Sequence, residues 1–373
     1  MNTLVVISLV IVVLYVLKIQ KYKRDWENYP ESEYVTFDCT TAISVVIAFR
    51  NEMSNLPALL SSLKAQEYPA ALMEVILVND HSDDGSDTWV QDFCRENANF
   101  RLIHNEGEVA GKKSAILNGI KKASNELIVT SDADCTMKSL WLATLAQVYM
   151  DKDPDMIVGL VDLKTDGNIP DNFQAIEFLS LVAAGAGALA GGRPIYCNGA
   201  FLAYKKSLFL TYPDPMKQQL ASGDDTLFLH AVKHDPGKSI LLLKSVQAIV
   251  TTSGVAGWNE FLQQRKRWVS KSLYYRDADT LYTALLVFLV NLTMLYSAVI
   301  LVTGYHFWLF PVTFAGKMVT DFLFLKSFFR FYQKKLPAMR FMVYELVYPL
   351  YVVFFAIAGI SSGFSWKGRR FRT

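Results

Sequence analysis

The sequence predicts an α/β domain with a mostly parallel sheet, enclosed between membrane segments at the two ends of the chain. Apolar runs and amphipathic helices alternate from residue 43 with a period of about 30 residues, which is typical of βαβ units. Long apolar stretches occupy both ends of the 373 residues. Charged residues concentrate between positions 23 and 278, and this stretch is long enough to bury a core of its own.

The alternating elements can be placed in chain order. Strands are predicted at 43–49, 74–80, 100–104, 126–132 and 156–163. Helices are predicted at 55–66, 86–97 and 113–123. The small-residue stretch 178–192 predicts a further helix, either an ordinary buried one or one packed against a lipid or acceptor. Because ligands bind beyond the carboxyl ends of parallel strands, we expect the functional site at that edge of the sheet.

The apolar ends predict membrane attachment. Residues 3–17 are uninterrupted and apolar, and the basic run 18–24 follows them, so we expect an uncleaved anchor with the following domain in the cytoplasm. Stretches 280–303, 306–327 and 341–362 are each long enough to cross a bilayer. Three crossings would leave the basic C-terminal tail outside, against the positive-inside bias, so one of them is expected to be re-entrant or interfacial.

The predicted organisation has three parts. These are an anchor at 1–22, a cytoplasmic catalytic domain at 23–278 and a membrane region with a basic tail at 279–373. The expected location is the inner cell membrane. Within the second C-terminal stretch, Lys317 and Asp321 lie four residues apart and can form an ion pair in the membrane, for which functional and structural roles are equally open.

Charge and cysteine content exclude two other classes of protein. The formal net charge is only +2, so the chain lacks the broad basic field of a nucleic-acid-binding protein, and we expect no nucleic-acid partner. Its four cysteines lie far apart, without the paired spacing of a zinc site or a disulfide framework. They are expected to be free thiols in a reducing compartment.

Polar clusters mark two of the expected strand and helix ends. Asp80 follows the second strand, where its carboxylate can accept an N–H of a nucleotide base, although an acidic residue in such a turn is also a common helix cap. Lys112 and Lys113 open a helix after Gly111, where a cation can meet a diphosphate. A solvated lysine is an equally ordinary reading of that pair.

A pair of carboxylates follows the fourth strand. Asp132 and Asp134 are separated by one residue, and their hard oxygen ligands suit Mg²⁺ or Mn²⁺. The same Asp-x-Asp spacing recurs at 151–153, 153–155 and 277–279, so the spacing alone has no value. Only the first pair comes directly after a buried β-branched run, and this context selects it.

A last acidic pair and a basic-aromatic run complete the set. Asp224 and Asp225, in the segment Ser222-Gly223-Asp224-Asp225, precede an apolar helix, and a carboxylate there can take the proton of an acceptor. Further along, Arg267 can stabilise a departing diphosphate and Trp268 can stack on a sugar. Taken singly, such a run next to a membrane segment is most often an interfacial anchor.

Together these motifs resemble those of the processive-type family-2 glycosyltransferases with a GT-A fold, which include ceramide glucosyltransferases, hyaluronan synthases and cellulose synthases. The resemblance covers about residues 43 to 270 and rests on the motifs SVVIAFRNE, VNDHSDDGS, SDAD, CNGAFLAY, SGDD and QQRKRW. It implies a nucleotide-sugar donor, a UDP-sugar as the expected one, a Mg²⁺ or Mn²⁺ cofactor and transfer with inversion.

The resemblance also implies roles for individual residues. Phe49, Glu52 and Asp80 would line the nucleotide pocket, with Lys113 at the diphosphate, Asp132 at the donor and metal, and Asp134 as the metal ligand. Asp225 would be the general base, in a catalytic group with Asp224, Gln264, Arg267 and Trp268. The acceptor loop would correspond to residues 197–200. Phe201 stands where many relatives carry Asn, which leaves the acceptor undetermined.

Three activities fit these residues. The favoured one is transfer of a single sugar to a membrane lipid or a lipid-linked glycan, as part of cell envelope biogenesis. A processive polysaccharide synthase is the alternative, for which one anchor and about three further segments are few for a translocation channel. A sugar nucleotidyltransferase has a similar sheet and paired aspartates, but it would have no need of Asp225 or of the Arg267–Trp268 pair.

Overall fold

The computed structural model describes residues 3–35, 39–105, 111–165, 169–212, 214, 224–255, 257–361, 364–366 and 369–371. The helices are α1 (Thr3–Asn28), α2 (Leu56–Lys64), α3 (Ser86–Glu96), α4 (Lys112–Lys122), α5 (Trp141–Lys152), α6 (Ile169–Ala190), α7 (Lys206–Thr211), α8 (Asp224–Lys233), α9 (Trp258–Ser270), α10 (Ala278–Thr303), α11 (Leu309–Phe331) and α12 (Ala338–Ser361). The strands are β1 (Ile43–Phe49), β2 (Met73–Asn79), β3 (Phe100–His104), β4 (Leu127–Asp132), β5 (Cys135–Thr136), β6 (Met156–Val158), β7 (Val161–Lys164), β8 (Leu202–Lys205), β9 (Ile240–Leu242), β10 (Val250–Ser253), β11 (Phe364–Trp366) and β12 (Arg369–Phe371).

A seven-stranded sheet in the order β3-β2-β1-β4-β8-β6-β9 forms the centre of the domain. β1 pairs in parallel with β2 and β4, whereas β8 runs antiparallel to β4 and β6. Every residue of β1 is buried, because helices cover both faces of a sheet built from such parallel units. The register places Phe49 opposite Asn79 and Ala48 opposite Asp132, so the carboxyl ends of three parallel strands meet at one edge. The predicted mostly parallel sheet is confirmed.

The single strand predicted at 156–163 is wrong. The segment forms two strands, β6 in the large sheet and β7 in a three-stranded sheet of order β5-β10-β7. The break falls at Gly159, where a Cβ would lie 1.8 Å from the ring of Phe201. Only a residue without a side chain fits beneath that ring, and the chain changes sheets at this point. The apolar character of the segment is continuous, so hydrophobicity alone could not reveal the break.

Helix α6, which contains the small-residue stretch, is mostly an interior helix. A Cβ on Gly187 would lie 2.9 Å from the Tyr22 carbonyl oxygen, and one on Gly185 would lie 2.9 Å from the Tyr196 ring. These glycines therefore allow α1 and the Tyr196 segment to approach α6 closely. About two thirds (67%) of its most apolar window is buried against protein, compared with 28–33% for the other long apolar helices.

Four of the described helices are long and apolar enough to cross a membrane: α1, residues 172–190 of α6, α10, and residues 338–358 of α12. Helix α11 is as long but carries four charged residues, Lys317, Asp321, Lys326 and Arg330. The predicted ion pair is present, since Lys317 Nζ lies 2.8 Å from Asp321, and the same nitrogen lies 2.6 Å from Glu345 of α12. Pairing of this kind allows a charged helix to pack inside an apolar bundle.

The membrane helices are also tied to the sheet domain. The boundary proposed at residue 22 lies inside α1, whose Trp26 packs on Phe328 of α11 at 4.4 Å between ring centroids. Lys244 Nζ donates to the Trp26 carbonyl oxygen at 3.0 Å. On the other side, Tyr351 of α12 donates to Glu177 of α6 at 2.9 Å. Helix α12 thus contacts the sheet domain as well as the other long helices.

Candidate active site

Two adjoining cavities lie at the carboxyl edge of the parallel strands. One, here the Asp225 cavity, has a volume of about 150 Å³ and the other, the Phe49 cavity, about 270 Å³. Their shared wall is polar and charged and consists of Lys112, Asp132, Asp134, Gln264 and Arg267. These residues come from the helix after the third strand, the end of the fourth strand and helix α9, so one site is assembled from distant parts of the chain.

The Phe49 cavity contains the three residues expected around a nucleotide. Phe49 ends β1, Glu52 lies in the turn after it, and Asp80 follows β2, where its N–H donates to the Phe49 carbonyl at 2.8 Å. Asp80 is 4% exposed, and its Oδ1 accepts N–H groups from Asn105 at 2.9 Å and Gly111 at 3.0 Å. These bonds fix the carboxylate at the cavity wall.

Asp84, rather than Asp80, accepts the first backbone N–H of helix α3. The Oδ1 of Asp84 accepts the backbone N–H of Ser86 at the start of α3, at 3.1 Å, and its Oδ2 accepts that of Met53 at 3.0 Å. Burial opposes ionisation of Asp84, but these hydrogen bonds outweigh it and lower its pKa. Asp80 does not take part in this cap.

Of the two adjacent lysines, Lys112 and Lys113, only Lys112 lines the cavities. Lys112 lines both cavities and lies 2.5 Å from Asp132, whereas Lys113 lines neither. Lys113 belongs to the face of α4 that is buried together with Ala115 and Ile116. Successive helical residues point about 100° apart, so only one of two adjacent lysines can face the site. Lys113, which the sequence suggested, therefore does not face the cavities, and Lys112 is the lysine placed to meet a ligand there.

Asp132 and Asp134 bring two carboxylates to the shared wall. Thr252 Oγ1 of β10 donates to Asp134 Oδ2 at 3.2 Å, while Lys112 pairs with Asp132. Burial, and then the charges of Asp132 and Glu52, raise the pKa of Asp134 to about 6. The wall thus concentrates negative charge on hard oxygen atoms, which is the donor set that a divalent cation prefers.

The protein supplies only part of a full coordination shell. Among the described residues, no group of three or more His, Cys, Asp or Glu side chains forms a ready metal cage. A cation at the two aspartates would need further oxygen ligands from a bound molecule. The residues therefore fit a cation that is shared with a ligand rather than a structural ion held by protein alone.

Asp225 lies at the start of α8, opposite the two aspartates in its cavity. Backbone N–H groups donate to its carboxylate from Gly199 at 3.0 Å and from Thr226 at 2.7 Å, and Lys271 Nζ lies 3.7 Å away. Burial opposes ionisation, but Lys271 and the two N–H groups outweigh it and lower the pKa of Asp225. The group is therefore an ionised carboxylate at neutral pH, which a proton acceptor must be.

Gln264, Arg267 and Trp268 of α9 also face the Asp225 cavity. Their neighbour Arg265 holds the helix in place: it is paired with Glu177 of α6 at 2.5 Å and lies between the rings of Phe261 and Trp268, at 4.4 and 4.2 Å from their centroids. The α9 motif therefore combines side chains directed at the cavity with one that anchors the helix in the protein.

The expected acceptor loop lies beside Asp225. Asn198, Gly199 and Ala200 line its cavity, and Ser131 Oγ of β4 donates to the Ala200 carbonyl at 2.8 Å. Phe201 is fully buried against Trp141, with ring centroids 5.3 Å apart, and does not face the cavity. A phenylalanine at position 201 therefore affects the core beneath the loop and does not alter the cavity wall.

Asp224 and two residues that the sequence did not suggest, Lys271 and Tyr196, belong to the same region of the fold. Helix α8 begins at Asp224, but its side chain, like Ser222 and Gly223, lies outside the described part of the chain. Sequence reasoning missed Lys271 and Tyr196, both of which line the Asp225 cavity. Lys271 could have been found, because it lies four residues, or one helical turn, after Arg267. No feature of the local sequence marks Tyr196 as a site residue. The four cysteines are free thiols, as predicted.

Comparison with known proteins identifies a domain within the chain and a shared fold. Residues 44–209 match the family model for glycosyl transferase family 2. The structure of the mannosyltransferase PcManGT from Pyrobaculum calidifontis, in complex with GDP-Man and Mn²⁺, superimposes with a TM-score of 0.56. That match is 16% identical and covers 95% of this chain and 96% of that one, so it shows a shared fold.

Two characterised relatives illustrate the range of similar enzymes. The poly-beta-1,6-N-acetyl-D-glucosamine synthase of Staphylococcus epidermidis is 31% identical over 44% of this chain and 40% of its own length. The beta-monoglucosyldiacylglycerol synthase of Trichormus variabilis is 24% identical over 64% of this chain and 50% of its own. The matches thus span half or less of these relatives. Residues 44–209 thus match a family-2 glycosyltransferase domain, and the sheet that contains them has a GT-A fold.

Proposed function

We propose that the protein transfers one sugar from a nucleotide-sugar donor, a UDP-sugar, to the hydroxyl of a membrane lipid or lipid-linked glycan, with inversion at the anomeric carbon. The observation that carries the proposal is the pair of adjoining cavities. Asp225, a partly buried and ionised carboxylate, lies in one, and Phe49, Glu52 and Asp80 line the other, with carboxylates and cations between them.

The residues divide the reaction between them. Asp225 takes the proton of the acceptor hydroxyl as its oxygen attacks the anomeric carbon, and the bond to the nucleoside diphosphate breaks on the opposite face. Lys112 and Arg267, which line both cavities, would stabilise the charge of the departing diphosphate. Asp132 and Asp134 would hold Mg²⁺ or Mn²⁺, which supplies positive charge to the diphosphate. Trp268 offers a ring face to a sugar or acceptor.

The two characterised relatives support different acceptors. One is named for a polymer of N-acetylglucosamine and the other for a glucosylated diacylglycerol. We favour the lipid because α6, although apolar, is mostly buried, so few helices remain to surround a polymer channel. A processive synthase remains the second candidate, supported by its sequence similarity. Formation of polymer by purified protein supplied with donor alone would establish that alternative.

The deciding experiment is a panel of nucleotide sugars incubated with the full-length protein and a membrane lipid extract. We expect one donor to yield a product whose mass equals a lipid plus a single hexose-type residue. Release of pyrophosphate without a glycosylated product would instead indicate a nucleotidyltransferase. Absence of transfer from every nucleotide sugar would contradict the proposal.

The same proposal places the protein as a multi-pass protein in the inner membrane with its catalytic domain in the cytoplasm. The basic run after residue 17 and the cytoplasmic origin of nucleotide sugars support this orientation. Protease added to sealed, right-side-out cells should spare residues 25–275, whereas permeabilised cells should lose them. Cleavage in that interval without permeabilisation would contradict the orientation.

A further inference from the structure

A third cavity of about 260 Å³, here the membrane-side cavity, lies among the long helices. Its wall comes from α1, α6, α10, α11 and α12, with the residues just before α10 and the Tyr196 segment closing one end. Leu181, Ala184, Val287 and Phe324 are among its apolar lining residues. A cavity with this lining, between helices that can cross a membrane, is suited to hydrocarbon.

The membrane-side cavity adjoins the site of chemistry. Tyr196 lines both this cavity and the Asp225 cavity. The Tyr196 ring fits against Gly185 of α6, where a Cβ would be only 2.9 Å away. The polar Asp225 cavity and the mostly apolar membrane-side cavity therefore meet at Tyr196. An amphipathic molecule could occupy both spaces at once.

The polar groups of the membrane-side cavity limit what can enter. Asp321 and Glu345 belong to its wall, while their shared partner Lys317 lies behind them and is only 1% exposed. The wall and its partner therefore contain two acidic side chains and one basic side chain in a region of low dielectric. Because this wall is mostly apolar and its acidic groups outnumber the basic one, an anionic lipid phosphate is disfavoured in it, whereas the hydroxyl groups of a neutral lipid could donate hydrogen bonds to the carboxylates.

We propose that the membrane-side cavity binds the hydrocarbon chain of the acceptor, and that the acceptor is an uncharged lipid alcohol whose hydroxyl passes Tyr196 to reach Asp225. This inference rests on the proposed function and narrows its substrate class. A carboxylate base facing the acceptor agrees with it, because a neutral alcohol must lose a proton to become a nucleophile whereas a phosphate oxygen is already anionic.

The first experiment measures binding without turnover. Full-length protein in lipid nanodiscs is exposed to diacylglycerol with a photoactivatable diazirine in its acyl chain, and labelled peptides are identified by mass spectrometry. We expect labelling within α6 or α10. Labelling confined to other segments would overturn the proposal. Phosphatidic acid carrying the same diazirine should label these helices several-fold less, and equal labelling would overturn the assignment of an uncharged ligand.

A matched pair of variants tests the cavity itself. Ala284 of α10 lines the membrane-side cavity, whereas Ala298 on the same helix lies about 21 Å away along its axis and lines none of the three cavities. We expect Ala284→Phe to fill the space and reduce diacylglycerol labelling at least fivefold, with Ala298→Phe close to wild type. Equal labelling of the two variants would refute the site.

Activity separates failure of this inference from failure of the proposed function. Ala284→Phe should raise the KM for a long-chain lipid alcohol by about tenfold or more and leave the KM for the donor unchanged. Transfer to a short-chain, water-soluble analogue should be nearly unaffected. Loss of both transfers would contradict the cavity's role. Labelling at α6 or α10 by a protein that transfers from no donor would refute the proposed function and leave the binding site standing.

Discussion

The substitution Asp225→Asn tests the proposed chemistry most directly. The side chain keeps its size, but an amide cannot take the acceptor's proton at neutral pH. A positioned base contributes about 10² to 10⁴ to the rate, so we expect kcat to fall by that factor while donor affinity is retained. This loss corresponds to about 2.7 to 5.5 kcal/mol in the activation barrier.

The substitution Asp225→Asn should also lower the folding stability. Two backbone N–H groups, from Gly199 and Thr226, donate to separate oxygens of the Asp225 carboxylate. Asn offers one oxygen, so one N–H loses its acceptor at a cost of about 1 to 3 kcal/mol in folding stability. A shift in Tm alone would therefore say nothing about catalysis, and turnover must be measured on folded protein.

Asp277 provides a matched control. It is also a buried aspartate beside a helix start: it accepts the N–H of Thr280 at 2.8 Å and pairs with Lys233 at 2.7 Å, but it lines none of the described cavities. Asp277→Asn should lower Tm and leave kcat per folded molecule unchanged. Donor affinity is measured by calorimetry and turnover by product mass. Near wild-type turnover for Asp225→Asn would remove this residue from catalysis and leave it only a capping role.

Three further predictions concern the metal, the base and the core. Chelation should abolish turnover and Mn²⁺ or Mg²⁺ restore it, with Asp134→Asn weakening metal-dependent donor binding; full activity in excess chelator would contradict this. Lys271→Met removes the charge that lowers the pKa of Asp225 most, so the acid limb of kcat/KM should move to higher pH, and an unchanged limb would oppose the assignment. Gly159→Ala would overlap the ring at 1.8 Å and should cost about 1 to 3 kcal/mol or more, seen as a lower Tm, whereas Gly257→Ala meets open space and should not.

Local sequence patterns were sufficient to predict the first strands of the sheet and several of the polar residues at its carboxyl edge. The β-branched runs that became β1, β2 and β4 specify strands, and polar residues immediately after such strands must lie at the carboxyl edge of a parallel sheet. Asp80 and Asp132 were found for this reason. The pair Lys317–Asp321 was equally predictable, because residues four apart on a helix share a face whatever surrounds it.

Errors arose where the outcome depends on distant neighbours. The orientation in which α4 packs on the sheet decides which of two adjacent lysines faces the site. In this orientation Lys113 is buried and Lys112 lines the cavities. The division of the segment at Gly159 depends on a ring supplied by Phe201. Neither partner is visible in the local sequence.

The sequence by itself therefore determined the first four parallel strands, the apolar helices α1, α10 and α12 and the polar character of the sheet's carboxyl edge, because periodicity and residue type act within a few residues of chain. The tertiary structure decided which side chains meet. Arg265 pairs with Glu177 from a different helix, and Lys271 approaches Asp225. Tyr196 lines both the Asp225 cavity and the membrane-side cavity. Such meetings depend on how whole elements pack, and packing is a property of the assembled core rather than of any one segment.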